Sequence, residues 1–188
     1  MHHSSNFRYS FPPLVPIKAK GLTFAEQQVK PLAFIGTSGG FADPTYYDLA
    51  GDACENYFDI STWEPDVNRP SSQDVNKKFK SKYGYAMNAE AVKAYVGMYI
   101  IKDAIERAGS TEPDKIREAL AATDINDGVT QMYAAQTKFD KTGQMINAPL
   151  VICQYQKVNG KMERVTVWPE AEARVGSNIV WPYPGAAK

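Results

Sequence analysis

The stretch Leu32-Ala33-Phe34-Ile35-Gly36-Thr37-Ser38-Gly39-Gly40 constrains the fold more than any other part of the chain. Leu32 to Ile35 form a short apolar run suited to a buried strand, and Gly36, Gly39 and Gly40 then let the backbone turn tightly and approach something closely. Asp43-Pro44 follows as an N-cap with proline in the first helical position. A strand, a glycine turn and a helix N-terminus in direct succession form the ligand-facing corner of an α/β sheet, outside the carboxyl end of a strand. Thr37 and Ser38 bring hydroxyls there, and free amides with the helix dipole favour an anionic group. An ordinary β–α connection without a ligand fits the same residues, so the pattern leaves both readings open. It is neither a Walker loop, because no Gly-Lys-Ser/Thr follows, nor a Gly-x-Gly-x-x-Gly fingerprint.

The rest of the chain divides by period and by proline. Residues 1–16 have no period and carry a Pro-Pro pair, which predicts an irregular N-terminus. Ile17 to Gly21 reads as the tail of a helix, and Thr23-Phe24-Ala25-Glu26 matches a capping box for a short helix through about Val29. Pro44 to Ala53 is predicted helical, with Tyr47, Leu49 and Ala50 available to face a core, and Glu55 to Ile60 is a strand. Residues 61–71, with Pro65 and Pro70, are too proline-rich for an interior element and read as a crossover, in which Trp63 either lines a cleft or, the commoner use, covers exposed core.

Three helices follow. Ser72 to Tyr83 is amphipathic through Val75, Phe79 and Tyr83, ends at Gly84, and turns Lys77, Lys78, Lys80 and Lys82 to solvent. Asn88 caps a helix to Ala108, stopped by Gly109, whose wide apolar arc predicts that it is mostly buried. Thr111-Glu112-Pro113-Asp114 opens the third, with Ile116, Leu120 and Ala121 on its inner face. After Gly128 the period changes: Val129 to Tyr133 is predicted as a strand, Phe139 to Gly143 as a turn, and Pro149 to Val158 as a longer strand. Asn159-Gly160 is a type I′ hairpin signal, with Met162, Val165 and Val167 on the return strand.

Composition narrows the function classes. The 188 residues include 21 basic and 21 acidic side chains, and the zero formal charge gives no electrostatic reason to expect nucleic acid or an anionic membrane as partner. His2 and His3 are the only histidines, which removes a histidine-based triad, a Cys-His pair and a conventional zinc site; no cofactor or metal is implied. Cys54 and Cys153 are equally compatible with a disulfide and with two buried thiols. No stretch reaches the roughly 20 apolar residues of a membrane span, and the N-terminus lacks the pattern of a signal peptide.

Four stretches in order resemble one family. They are Phe34-Ile35-Gly36-Thr37-Ser38-Gly39-Gly40, then Leu49-Ala50-Gly51-Asp52-Ala53-Cys54-Glu55-Asn56. The next is Ala104-Ile105-Glu106-Arg107-Ala108-Gly109-Ser110 with Ile116-Arg117-Glu118-Ala119-Leu120 behind it, and the last is Phe139-Asp140-Lys141-Thr142-Gly143-Gln144 with the hairpin and Val167-Trp168-Pro169. Their order and spacing resemble the second half of periplasmic solute-binding proteins of the branched-chain amino-acid (Leu/Ile/Val-binding) type. The resemblance implies an α/β fold, a partial type I periplasmic-binding-protein fold made of the second lobe and first-lobe helices with a C-terminal β-hairpin. In such proteins two lobes are joined by three crossings and close on a ligand. Residues 17–60 then fall in the second lobe, 61–71 in the hinge crossover, 72–125 in first-lobe helices and 126–169 in the return to the second lobe. Residues 170–188 form a tail.

The resemblance implies a non-enzymatic, extracytoplasmic solute-binding component of an ABC importer, with a small amino-acid-like, carboxylate or aromatic-acid ligand and an ABC permease as partners. It places ligand contacts at Thr37, Ser38, Gly39 and Gly40, an aromatic wall at Tyr46 or Tyr47, and an acid near the cleft at Glu90. Ser38 stands where amino-acid-binding relatives commonly carry an acid for the ligand ammonium, which favours a ligand without a fixed cation unless Glu90 supplies that charge. The long segment that opens the family's first lobe has no counterpart in residues 1–16, so the chain resembles a partial protein. A ligand-sensing module of a regulator or receptor with the same fold, a small α/β enzyme and an inactive fragment are the alternatives.

Overall fold

A computed structural model describes residues 31–37, 41 and 44–184 of the chain. The predicted irregular segment 1–16, the helices at 17–29, the glycine turn at 38–40 and the Asp43 cap lie outside the described residues.

Four strands build the main sheet in the order β1 (Ile35–Thr37), β2 (Phe58–Ser61), β5 (Val151–Val158), β6 (Lys161–Trp168). β1 and β2 are parallel, so a crossover must link them; helix α1 (Pro44–Ala50) and a 3-10 turn at Gly51–Cys54 supply it. The other pairings are antiparallel. Asn159 (φ 51°) and Gly160 (φ 78°) both take positive φ, which is what a type I′ turn requires, and the hairpin forms where expected.

Between β2 and β5 the chain inserts a helical unit. It holds α2 (Ser72–Tyr83), α3 (Ala89–Ala108), α4 (Pro113–Ala121) and a two-stranded ribbon of β3 (Asp124–Ile125) with β4 (Thr137–Lys138). Gly84 and Gly109 end α2 and α3 in the left-handed region (φ 85° and 56°), and the Asn88 side chain accepts the Ala91 amide as the α3 cap.

One core runs beneath the junction of the two units. Trp63 and Val67 from the connection, Val92 and Val96 from α3, Met132, and Val151 and Cys153 from β5 pack together. A second cluster seats α1 on one face of the sheet through Tyr46, Ala50 and Cys54 against Tyr57 and Tyr155. The opposite face carries Ile35, Phe58, Ile60, Ile152 and Trp168 in register, and residues 178–183 of the tail cross part of it. Both cysteines are free and buried.

Several sequence expectations need correction. Ile35 is not buried but 65% exposed, because β1 is an edge strand and Ile35 points to the face that α1 does not cover. Leu49 also faces outward, since Tyr46 and Ala50, four residues apart, take the inner side of α1. β2 starts at Phe58 rather than Glu55, because Asn56 turns at φ 66°. Helix α3 is not mostly buried: Val92, Val96 and Ala104 are enclosed, whereas Met98 (65%), Tyr99 and Ile101 are exposed, because among the described residues packing reaches it from one side only. Tyr83 and Ala121 are exposed as well. Val129 to Tyr133 is no strand but part of a 3-10 turn at Gly128–Met132, where the Thr130 hydroxyl donates to the Asp127 carbonyl (2.8 Å) and Met132 enters the junction core. A β-branched pair read as extended is overridden here by local hydroxyl bonding and by burial of Met132.

Candidate functional site

A cleft of about 610 Å³ opens between the sheet unit and the helical unit. Each wall follows from an element already described. Tyr47 comes from α1, one residue past the core-facing Tyr46. Glu64 and Asp66 come from the connection after β2, which turns at Pro65–Asp66 where the Val67 amide donates to the Glu64 carbonyl (3.2 Å). Lys80 and Asn88 come from the end of α2 and the cap of α3, and the loop between them folds back because Asn76 accepts the Met87 amide (2.9 Å). Glu163 and Arg164 come from β6, and Arg174 from the tail.

The floor of the cleft is an ion network. Arg164 is 6% exposed and donates one guanidinium nitrogen to Glu64 and another to Asp59, both buried. Asp66 accepts the Thr166 amide (3.1 Å) and hydroxyl (2.5 Å) together with Arg174 Nε (2.8 Å), and Arg174 reaches Glu163 at 2.7 Å. Four carboxylates therefore share two guanidiniums. Burial pushes the Glu64 carboxyl up to about 7 although Arg164 pulls against that, and burial likewise raises Asp59. Burial opposes the Arg164 charge too, but Glu64 and Asp59 raise its pKa and keep it protonated. Asp59 Oδ1 and Arg164 Nε are buried and make no hydrogen bond among the described residues. The arrangement holds a charged, desolvated floor under an aromatic wall, which suits recognition of a small polar molecule.

The structure spreads the sequence-predicted residues apart. Thr37 ends β1 opposite Ile60 and is exposed. Ser38, Gly39 and Gly40 lie outside the described residues. Tyr46 sits in the core with its ring 5.5 Å from Tyr155, so of the two candidate wall residues Tyr47 is the one that lines the cleft. Glu90 is 73% exposed on the first turn of α3 and pairs with Lys93 at 2.7 Å; Asn88, two residues earlier, is the α3 residue that reaches the cleft. Gly36 serves packing, since a Cβ there would stand 2.6 Å from the Phe41 ring. Glu64, Asp66, Arg164 and Arg174 escaped the sequence reading. The available signal was an arginine in the alternation of the hairpin and two acids flanking Pro65 in the crossover.

Among the described residues no helix is long and apolar enough to cross a membrane. A profile of the family described as "Periplasmic binding protein" matches residues 22–160. Leu/Ile/Val-binding protein homolog 8 of Brucella abortus (strain 2308) is 34% identical over 153 residues, covering 79% of this chain and 37% of the relative. Homolog 7 of Brucella suis biovar 1 (strain 1330) is 31% identical over 149 residues, 77% of this chain and 36% of the relative. The chain thus spans little more than a third of the length of these curated relatives. The leucine binding protein LivK of Thermotoga maritima superposes with a TM-score of 0.65 at 22% identity, over 82% of this chain and 42% of its own. The branched-chain amino acid transporter substrate binding protein LivJ of Streptococcus pneumoniae, in complex with isoleucine, gives 0.57 at 21%, over 80% and 42%. These structural likenesses bear on the fold alone.

Proposed function

Because this chain belongs to the periplasmic binding protein family, we propose that it forms part of the extracytoplasmic solute-binding component of an ABC importer, recognising a small amino-acid-like or carboxylate ligand in the cleft between its sheet and helical units. The observation that carries this reading is the 610 Å³ cleft at the junction of the two units, with a desolvated ion network as floor and Tyr47 as wall. The names of the Brucella relatives support the ligand class.

In this reading Thr37, Ser38, Gly39 and Gly40 offer hydroxyls and amides to the anionic end of the ligand. Tyr47 is the aromatic wall, and Glu90, two residues past the cleft-lining Asn88, is the acid that would meet an ammonium on leaving Lys93. Trapping between lobes gains affinity by enclosing most of the ligand surface. Isothermal titration of the chain itself against leucine, valine and small carboxylates is expected to give weak binding or none; micromolar binding shows that the cleft is complete without further walls.

The decisive experiment is a thermal-shift screen on a two-lobe protein, in which the leading segment of the Brucella abortus relative is joined to residues 17–188. Ligand at a hundredfold excess over its dissociation constant adds about 2.7 kcal/mol, which reads as a shift of several degrees. Stabilisation by aromatic or aliphatic acids that weakens in Ser38→Ala supports the carboxylate reading. Stabilisation by leucine or valine lost only in Glu90→Gln supports an amino acid instead, and no stabilisation by any member of either class refutes solute binding at this cleft.

A further inference from the structure

Arg69 lies in the connection that leaves β2 for α2, and its side chain is only 6% exposed. Its guanidinium is shared among three separate passages of the chain. One nitrogen donates to the Thr62 carbonyl of the connection (3.2 Å) and to the Tyr133 carbonyl at the end of the 3-10 turn in the helical unit (2.5 Å). Another donates to the Glu172 carboxylate in the tail that leaves β6 of the sheet unit. The Asn68 amide adds a bond to the Glu172 carbonyl (3.3 Å), and the Glu172 amide closes a turn on the Pro169 carbonyl (2.9 Å). Beside it, Ser72 Oγ donates to the Met132 carbonyl within the helical unit (3.1 Å) and accepts Trp63 Nε1 of the connection (3.3 Å), so a further polar bond ties the connection to the helical unit.

The apolar core at this seam is non-directional, and such contacts resist separation more than rotation. A planar guanidinium fixed by acceptors on both sides is directional. We propose that Arg69 is a positioning residue: held between the Tyr133 carbonyl and the Glu172 carboxylate, it fixes the angle at which the sheet and helical units meet, and with it the width of the cleft. The consequence for binding rests on the solute reading above; the angle itself does not. A lysine at this position is a point charge and cannot serve three acceptors in one plane. A glutamine at 172 keeps an acceptor but removes the counter-charge of a buried cation.

The test is a distance measurement without solute. Nitroxide labels on Lys78→Cys in α2 and Lys161→Cys at the hairpin, both exposed positions, report the separation of the units by pulsed electron resonance. Cys54 and Cys153 stay unlabelled, since both are buried and burial raises their thiols. The parent chain is expected to give one narrow distribution, and Arg69→Lys and Glu172→Gln to broaden it by several ångström. Lys102→Gln, which breaks an exposed pair with Glu106, should leave it narrow. Narrow, unshifted distributions in both Arg69→Lys and Glu172→Gln overturn the proposal, whatever happens to the melting temperature. Because no ligand enters the measurement, a failed solute screen leaves this result standing on its own.

Discussion

Glu64→Gln offers a direct test of the ion network. The Glu64 carboxyl is raised from 4.5 to about 7, first by burial, with Arg164 opposing. A carboxyl raised on folding keeps a proton that the unfolded chain has already released. Between pH 4.5 and 7 the native state therefore binds more protons than the unfolded state, and stability falls as pH rises through that window. At about 1.4 kcal/mol per pH unit, the interval gives roughly 3 kcal/mol. The side chain is 7% exposed, so solvent screening takes little from this. Below pH 5 the neutral acid and the amide are near-isosteric, and the two proteins should unfold at similar urea concentrations. At pH 8 the variant should be the more stable by up to about 3 kcal/mol, because Asp59 alone still neutralises Arg164. Urea unfolding followed by tryptophan fluorescence at pH 5, 6, 7 and 8 gives the comparison, and other titrating groups cancel in the difference. A gap that is constant across the series, or that grows in favour of the parent as pH rises, refutes the reasoning.

Three further substitutions probe the elements that position the cleft. Asn88→Ala removes the acceptor of the Ala91 amide (2.9 Å) and should cost about 1 kcal/mol in chemical unfolding. Trp63→Ala empties the centre of the junction core, where the indole is fully buried, and should cost about 3–5 kcal/mol by the same measurement. Gly36→Ala forces the Phe41 ring, 2.6 Å from the new Cβ, to move; a loss of about 1–3 kcal/mol in thermal melts is the expected outcome, and neutrality means that the ring has room to yield.

Local chemistry was the legible part of the fold. The Asn159-Gly160 hairpin, the Asn88 cap, the glycine stops at 84 and 109 and the bounds of α2 follow from residues within one turn of each other. Which face of an element is buried was less legible, because it depends on partners far away in the chain. Leu49, Ile35 and Met98 carry the same apolar signal as Tyr46, Phe58 and Val96, and only the packing of the two units separates them. The cleft was the least legible. Arg164 is set by β6, Glu64 by the connection and Asp59 by β2, and the ion pairs join positions 100 and 105 apart. A sequence pattern registers neighbours such as Glu64 with Asp66 or Glu163 with Arg164, and nothing in it shows that the two pairs meet.

The insertion of the helical unit between β2 and β5 also sets an order in time. Asn56 and Gln154, joined across the main sheet, are 98 positions apart. During synthesis at roughly 5–20 residues per second, the free edge of β2 waits on the order of 5–20 s for its antiparallel partner to leave the ribosome. Meanwhile α2, α3 and α4 can form from local contacts, but the α3 face that meets Val151 and Cys153 stays uncovered until β5 arrives. The β5–β6 hairpin then arrives preformed and must find the waiting edge in register, with Phe58 against Gln154 and Ser61 against Val151. Until it does, an unpaired edge stands open to other nascent chains. Docking of the hairpin on β2 is therefore expected to be a late step of folding, and the interval before it the one most open to misassembly.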